Sequence, residues 1–263
     1  MSGSIFRVAA FAAGLFAAIA SPLAASAAET PCQAPGLSRA LHADAITRRL
    51  KQSRPVSILA IGSSSTEGVG ASAKDRSYPA TLEHLLQRTW PTARIRVDNA
   101  GVGGETAGAT LQRLKQALAG PAYSLVIWQV GTNDAVKGDD EAAFRSMLES
   151  GIAMAREAKV ELVIVDQQLF PGIKDMPRYE RYVAAVSDVA GRNDVAVFSR
   201  FQMMRTWAAD GREHLEAALS ADAFHMNDRG YECLAQGLAA PIRQAVGPGV
   251  PVPVATVGDP SSI

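Results

Sequence analysis

The stretch that decides the fold is Val56-Ser-Ile-Leu-Ala-Ile-Gly62, an apolar run that ends in glycine and leads into three serines, residues 63–65. A short apolar run bounded by glycine is typical of a strand buried on both faces. Similar runs recur along the chain, and segments with helical periodicity separate them. Because strands that alternate with helices form parallel sheets covered on both faces, the sequence predicts a doubly wound α/β domain.

The predicted elements cover nearly the whole chain from residue 38 onward. The predicted strands are 56–61, 93–97, 124–130, 161–165 and 195–198. The predicted helices are 38–51, with Ser38 as N-cap, 78–90, 107–119, 141–158, 178–190 and 228–246. We therefore expect one flavodoxin-like, three-layer α/β/α sandwich with a five-stranded parallel sheet.

The first segment is predicted to be a signal peptide. Arg7 precedes the apolar run 8–20, and Ala25-Ser-Ala27 fits the small-x-small pattern of a cleavage site. The run is shorter than the about 20 residues that a transmembrane helix needs, which disfavours a membrane anchor. We expect cleavage after residue 27, one folded domain over 28–246, and an extended or disordered tail over 247–263, rich in Pro and Gly. Such a protein is exported, to the periplasm or outside the cell, without stable membrane insertion.

Charge and cysteine content exclude several classes of protein. Lys plus Arg and Asp plus Glu number 26 each, and the basic residues form no stripe, so we expect no nucleic-acid partner. The two cysteines, Cys32 and Cys233, are not in a CxxC pair, which disfavours a zinc or thioredoxin-type site. In an oxidising compartment they can form a disulfide, which we favour over two separate thiols. The oligomeric state does not follow from the sequence.

Three loops that follow the first three predicted strands are rich in glycine and small polar residues. They read Gly62-Ser-Ser-Ser-Thr-Glu-Gly68, Asn99-Ala-Gly-Val-Gly-Gly104-Glu and Gly131-Thr-Asn-Asp134. Ligands of doubly wound folds bind at the carboxyl ends of the strands, so the three loops together indicate a site there, although each alone fits an ordinary turn. Neither a P-loop nor a GxGxxG motif is present, so nucleotide binding is not predicted.

His225 is the best candidate for a catalytic base. His42 and His84 lie within predicted helices and His214 lies in a charged stretch, so we expect all three at the surface. His225 lies in an irregular segment before the last helix, three residues after Asp222. On a turn, the Asp222 carboxylate can reach the imidazole, fix its tautomer and stabilise the imidazolium.

These motifs, in this order, resemble the sequence blocks of the GDSL, or SGNH, hydrolases over residues 56–240. Gly62-Ser63-Ser64 with Gly68 resembles the first block, Gly-Asp-Ser with a glycine four residues after the serine, and this spacing selects Ser64. The other blocks are matched by Gly104, by Gly131-Thr-Asn133-Asp134 and by Asp222-Ala-Phe-His225.

The resemblance implies a role for each matched residue. Ser64 would attack the acyl carbon, His225 would take up and return its proton, and Asp222 would orient His225. The backbone N–H groups of Ser64 and Gly104 and the side-chain amide of Asn133 would hold the oxyanion. The resemblance implies neither a metal nor an organic cofactor.

One position departs from the family pattern. Ser63 stands where the family has the aspartate that precedes the nucleophile. That aspartate is not a member of the triad, so its replacement does not predict an inactive protein. It leaves open how the nucleophile loop is held.

Other residues near the motifs are predicted to have structural roles. We expect Asp134 to be a turn residue or a helix cap, and Glu105 to favour the N-terminus of the following helix through its dipole. Met203, Met204 and Trp207 have helical spacing after the fifth strand and are predicted core residues, with the lining of an acyl pocket as the alternative.

The resemblance implies a carboxylic ester hydrolase that works through an acyl-enzyme, on a small-molecule or polysaccharide ester. Export and the lack of an obvious large apolar lid favour short acyl groups, including O-acetyl groups on carbohydrate. The alternatives are a lysophospholipase or thioesterase, an O-acyl transferase, and a non-catalytic carbohydrate-binding protein on the same fold. The intact set of Ser64, Asn133, Asp222 and His225 argues against the last of these.

Overall fold

The computed structural model describes Met1, Cys32 and residues 34–247. The chain divides into two units, Met1–Pro31 and Cys32–Ile263, and the architecture below is that of the second. The predicted signal peptide and cleavage site, Met1 apart, and the predicted tail from residue 248 onward lie outside the described residues.

Five strands form one parallel sheet in the described part of the chain. They are β1 (Val56–Gly62), β2 (Ile95–Gly101), β3 (Leu125–Gln129), β4 (Leu162–Val165) and β5 (Ala196–Phe198). Their order is β2-β1-β3-β4-β5, and every neighbouring pair is parallel. The chain runs outward from β1 to β2 and then returns to β3, so the strand order reverses between β1 and β3. In doubly wound sheets this reversal opens a crevice at the carboxyl ends of the strands.

Helices cover the sheet and connect its strands. The helices are α1 (Asp44–Lys51), α2 (Ser64–Glu67), α3 (Tyr78–Thr89), α4 (Ala107–Leu118), α5 (Thr132–Lys137), α6 (Glu141–Glu157), α7 (Met176–Arg192), α8 (Arg200–Asp210), α9 (Arg212–Glu216) and α10 (Asp228–Val246). α10 contacts α1 and α3, whereas α6 contacts α4 and α7, which gives one group of helices for each face of the sheet. The predicted three-layer α/β/α architecture is confirmed.

The apolar runs form the buried centre of the fold. Every residue of β3 and β4 is buried, which explains why these strands show continuous apolar sequence instead of alternation. Trp128 of β3 is fully buried, and a Cβ on Gly151 of α6 would lie 2.3 Å from its ring. Glycine at this position therefore lets α6 pack closely against the sheet.

The start of α1 differs from the prediction. The helix begins at Asp44, and Ser38 is not its N-cap. Instead, the Ser38 backbone N–H donates to the Val197 carbonyl at 2.9 Å, and the Ser38 hydroxyl oxygen accepts from the Val197 N–H at 3.0 Å. Because β5 is an edge strand, its free backbone groups compete for such a partner, and this competition outweighs the local capping preference. His42 consequently precedes α1 and does not lie within it.

The second strand is also displaced from its predicted position. It begins at Ile95 and continues to Gly101, into the loop that the sequence analysis assigned to the site. The cause is parallel pairing with β1, which continues in register until Gly62 lies opposite Gly101. The glycine-rich turn of the site therefore starts at Val102.

Cys32 and Cys233 form a disulfide, with their Cα atoms 5.1 Å apart. Cys233 is buried in α10, so the bridge ties the segment before α1 to the last helix. Among residues 34–247, no helix combines the length and the apolar character needed to cross a membrane.

Candidate active site

Ser64 lies at the sharp turn from β1 into α2, at the carboxyl end of the sheet. Ser63 occupies the N-cap position, and Gly68, with φ of 103°, ends the short helix by donating its N–H to the Ser64 carbonyl at 3.0 Å. A side chain on Gly68 would also clash, since its Cβ would lie 2.7 Å from Ser77 Cβ. The two glycines of this block thus allow a tight turn that presents a half-buried Ser64 side chain.

The segment 220–227 forms a turn that Asp222 closes with its own side chain. Asp222 Oδ1 accepts hydrogen bonds from the backbone N–H groups of Phe224 and His225, both at 2.9 Å. It also accepts from the Ser220 hydroxyl at 2.7 Å, and the Ser220 N–H donates to the His225 carbonyl at 2.8 Å. The three-residue spacing of the Asp-x-x-His motif is therefore the spacing of a closed turn.

Ser64, His225 and Asp222 form a chain of two hydrogen bonds. His225 Nδ1 lies 2.6 Å from Asp222 Oδ2, and His225 Nε2 lies 2.8 Å from Ser64 Oγ. If Nδ1 carries the proton and donates to the carboxylate, Nε2 is free to accept the serine proton. This is the arrangement that activates a serine for attack on an acyl carbon.

The Asp222 carboxylate, at one end of this chain of hydrogen bonds, is partly exposed and ionised. The Asp222 side chain is 46% exposed, and that of His225 is 14% exposed. Burial acts to raise the pKa of Asp222, but the hydrogen bonds from His225, Ser220 and the two backbone N–H groups outweigh it and hold the pKa well below its usual range. A negative charge beside Nδ1 stabilises the imidazolium that proton transfer would create.

The loop between β2 and α4 passes beside the nucleophile. A Cβ on Gly103 would lie 3.9 Å from Ser64 Cβ, and the next residue, Gly104, has φ of 77° and open space where a side chain would be. The half-buried Asn133 donates from Nδ2 to the Glu105 carbonyl at 2.8 Å. Two of the predicted oxyanion donors, Gly104 and Asn133, thus lie on loops that are tied together directly after Gly104.

Gln129, which the sequence analysis missed, holds the nucleophile loop. The backbone N–H and the hydroxyl of the buried Ser63 donate to Gln129 Oε1 at 3.0 and 3.1 Å, and the Thr66 hydroxyl donates to the same oxygen at 3.2 Å. Ser63 therefore contacts a neutral amide from β3, which answers how the loop is held without the usual aspartate. The available signal was a lone polar residue in an otherwise apolar strand, since a buried amide needs partners.

Arg113 of α4 was also missed, and it ties together the ends of two strands. Its guanidinium donates to the carbonyls of Ala100 at 2.7 Å and Gly62 at 3.1 Å, and its Nε donates to Glu105 at 2.9 Å. The Glu105 carboxylate thus binds Arg113 and Thr110. No local spacing signals this pair, because the two residues meet only after α4 has packed.

Asp134 has the helix-capping role that the sequence predicted, and the helix that it caps is α4. It lies in the first turn of α5, and its carboxylate accepts from the Ala107 N–H at the start of α4, at 2.9 and 3.2 Å. It is almost fully buried, and this burial raises its pKa. Asp134 therefore joins the third loop of the site to α4 and is not placed to react.

A cavity of about 310 Å³ lies beside the base segment. Its lining includes Phe224, whose ring packs edge-on against Phe170 and against His225, both with centroids 4.6 Å apart. The remaining lining residues are Ala135, Val136, Gly172, Ile173, Lys174, Asp175, Arg178 and Tyr179. Met203, Met204 and Trp207 are buried core residues and do not belong to this lining.

Comparison with known proteins finds one family and several esterases that are similar to this chain. The family described as non-GDSL lipase-like matches residues 31–248, well over half of the chain. Esterase TesA of Pseudomonas aeruginosa is 27% identical over 176 residues, which are 66% of this chain and 82% of TesA.

Solved structures share the architecture at lower identity. A two-domain esterase described as active on acetylated mannans, crystallised with mannopentaose, has a TM-score of 0.67 and 18% identity, and the match covers 80% of this chain and 56% of that one. This chain thus spans little more than half of that protein. A variant of an acetyl-xylooligosaccharide esterase from Geobacillus Stearmophilus has a TM-score of 0.57 and 21% identity, with 71% and 94% covered.

Proposed function

This chain belongs to the non-GDSL lipase-like family and is a carboxylic ester hydrolase, and we propose that it works outside the cytoplasm through an acyl-enzyme on Ser64. The observation that carries the acyl-enzyme is the hydrogen-bond chain from Asp222 through His225 to Ser64, with distances of 2.6 and 2.8 Å. A binding protein has no need for a serine hydroxyl in contact with an imidazole nitrogen whose other ring nitrogen contacts a carboxylate.

The proposed reaction has two half-reactions. In the first, Ser64 Oγ attacks the ester carbonyl while its proton passes to His225 Nε2, and the imidazolium then protonates the departing alcohol. In the second, water attacks the acyl group, His225 takes the water proton, and Ser64 leaves with that proton as the acid departs. In both, the ionised Asp222 stabilises the imidazolium, and the donors from Ser64, Gly104 and Asn133 stabilise the oxyanion.

Labelling with a fluorophosphonate tests the nucleophile. The probe should modify Ser64 alone, because Ser63 and Ser65 direct their hydroxyls to Gln129 and Gln168 inside the protein. Ser64→Ala should abolish labelling and turnover, whereas Ser63→Ala should still be labelled. Peptide mapping that places the label on Ser63 or Ser65, or a wild type that is not labelled, contradicts the proposal.

For the substrate, we propose short acyl esters, with O-acetyl groups on carbohydrate as the leading class. Support comes from two structural neighbours that are named for acetylated mannans and acetyl-xylooligosaccharides. The second candidate is a lipid acyl hydrolase, because the cavity next to Phe224 has Phe170, Val136 and Ile173 in its lining.

A chain-length series separates these two substrate classes. We expect kcat/KM on p-nitrophenyl esters to be highest for acetate or butyrate, and acetylated mannan or xylan to release acetate. A maximum at octanoate or longer, without acetate release, favours the lipid acyl hydrolase. A product that carries the acyl group on an added sugar, in place of free acid, identifies a transferase.

Export is tested on protein that is made by its natural route. The proposal predicts a mature N-terminus at Ala28 and no free thiol, since Cys32 and Cys233 remain after cleavage and are bonded to each other. Mass spectrometry with and without alkylation measures both. An N-terminus that retains residues 1–27 contradicts cleavage, and two alkylated cysteines contradict the disulfide.

A further inference from the structure

We propose that Gln168 is a positioning residue that sets the distance between Ser64 and His225. The inference rests on the proposed function, because it assigns to Gln168 the alignment of the nucleophile with its base. Gln168 lies in the segment that follows β4 and is fully buried. It belongs to none of the sequence blocks that identify Ser64, Asn133 or His225.

The Gln168 side chain bonds to the direct neighbours of both reacting residues. Its Oε1 accepts from the Ser65 hydroxyl at 2.9 Å, and Ser65 follows Ser64. Its Nε2 donates to the Phe224 carbonyl at 2.8 Å, and Phe224 precedes His225. One amide thus connects two segments whose reacting residues are 161 positions apart in the chain.

An amide fits this position because the two partners need opposite groups. Ser65 offers a hydroxyl proton, whereas Phe224 offers a carbonyl oxygen, and a glutamine side chain has one acceptor and one donor group. An ionised glutamate would keep the first hydrogen bond and place a negative oxygen against the Phe224 carbonyl. A methionine of similar shape would lose both hydrogen bonds.

The backbone of Gln168 is also held by a hydrogen bond. Its backbone carbonyl accepts from the Tyr179 hydroxyl of α7 at 2.7 Å. Burial raises the pKa of Tyr179, so this hydroxyl keeps its proton and remains a donor. The bridge therefore runs from the α7 layer through Gln168 to both sides of the reacting pair.

Other contacts also join the two sides, but at greater sequence distance from the reacting atoms. The Tyr231 hydroxyl donates to the Val69 carbonyl at 2.5 Å, and Asp228 accepts from the Ser72 hydroxyl at 2.6 Å. These contacts attach the start of α10 to the end of the nucleophile loop. Of the side chains named here, only Gln168 bonds to the direct neighbours of both Ser64 and His225. Its loss should therefore change the alignment of these two residues most.

The test compares Gln168→Met with Gln167→Met. The two glutamines are neighbours and equally buried, and among residues 34–247 the Gln167 amide has no hydrogen-bond partner. Methionine conserves volume, so packing changes little in either variant. We expect Gln168→Met to lower kcat about 10- to 100-fold, since a displacement of about 1 Å at reacting groups can cost about 100-fold. KM should stay within about twofold, as expected when only transition-state interactions are lost.

Two further variants test the two hydrogen bonds of the Gln168 side chain separately. Gln168→Glu, assayed at a pH at which the introduced carboxyl is ionised, keeps the Ser65 bond and breaks the Phe224 bond, and Ser65→Ala removes the Ser65 bond to Gln168. Each should lower kcat and slow fluorophosphonate labelling of Ser64, since labelling also requires activation of the serine by His225. Gln167→Met should retain wild-type kcat and labelling rate.

The proposal is overturned if Gln168→Met keeps wild-type kcat, if its loss appears only in KM, or if Gln167→Met loses as much kcat. Failure here is distinct from failure of the proposed function. Wild-type labelling at Ser64 and inactivity of Ser64→Ala report on the function alone.

Discussion

The nucleophile half and the base half of the site are held in different ways. The nucleophile half is residues 62–68 with Gln129 and Arg113, and the base half is residues 220–227. In the first, a buried amide and a guanidinium from other elements satisfy the loop, with Gln129 only 1% exposed. In the second, Asp222 satisfies its own turn while its side chain is 46% exposed.

The difference determines where water can replace a lost contact. Around Gln129, removal of the acceptor leaves buried donors without a partner, which costs about 1–3 kcal/mol for each group. Around Asp222, solvent reaches the carboxylate, so removal of one hydrogen bond costs less. We therefore expect the nucleophile half to couple activity to stability, and the base half to change activity with little effect on unfolding.

The largest effect is expected for His225→Ala. If His225 is the base, kcat should fall by about 10⁶-fold, the loss seen when a comparable triad histidine is removed from subtilisin. Measurement of kcat for the wild type and the variant on one soluble ester tests this. Retention of activity by the variant contradicts the mechanism.

Asp222→Asn should cost less than loss of the histidine. In subtilisin, removal of the aspartate costs about 3 × 10⁴ in kcat. An asparagine oxygen can still accept from the Phe224 and His225 N–H groups, so the turn should survive and the urea midpoint should hardly move. A variant with wild-type kcat would show that Asp222 only closes the turn.

Gln129→Leu should lower both stability and activity, because it acts on the nucleophile half. The change leaves the Ser63 N–H and hydroxyl and the Thr66 hydroxyl without their shared acceptor. We expect the free energy of unfolding to fall by about 2–4 kcal/mol and kcat to fall about tenfold or more. Urea unfolding measures the change in free energy of unfolding, and steady-state kinetics measure the change in kcat.

Ser220→Ala is the matched control in the base half, where it removes one hydrogen bond to the exposed Asp222. Its free energy of unfolding should change by less than about 1 kcal/mol. Equal destabilisation by the two changes would contradict the difference between the halves.

The smallest effect on activity is expected for Asp166, a buried carboxyl that follows β4. Burial raises the pKa of Asp166 to about 6, although the Ser199 hydroxyl and the Phe201 N–H bond to the carboxylate. A folded pKa above the unfolded value means that the folded state binds the proton more tightly. The stabilisation is therefore complete below about pH 4 and is lost as the pH rises to about 6.

Asp166→Asn should remove this pH dependence and leave kcat unchanged. Urea unfolding from pH 4 to pH 8 measures it. The pKa of Asp222 is lowered in the folded protein, so its contribution has the opposite sign, is lost only as the pH falls below about 4, and does not change across this range. A wild-type free energy of unfolding that rises between pH 4 and pH 6 would contradict the assignment to Asp166.

Sequence reasoning succeeded where one signal dominated. Strands β3 and β4 are buried at every position, so apolar runs marked them closely, and α10 begins and ends where its periodicity predicted. The Asp-x-x-His spacing also has a local cause, because Asp222 bonds to the N–H groups two and three residues later. Such features can be inferred from a short window of sequence.

The parts that sequence reasoning missed depend on partners far along the chain. Gln129 meets Ser63 across 66 positions, and Gln168 meets Ser65 across 103. The start of α1 was wrong for the same reason, since Ser38 bonds to Val197, 159 residues away. A local sequence pattern shows that Ser38 could cap a helix, but it does not show that a distant strand offers Ser38 a stronger partner.

The contact between Ser38 and Val197 also has a consequence for biogenesis. Ser38 is made early, but Val197 of the strand edge that it covers is made 159 residues later, and Cys233 is made 201 residues after its partner Cys32. During synthesis, β5 must therefore be made before Ser38 can pair with it. Between the formation of β5 and this pairing, the free N–H and C=O groups of the edge are open to another copy of the chain, as exposed strand edges are in general. Closure by the early segment thus removes two backbone groups of this edge from pairing with another chain.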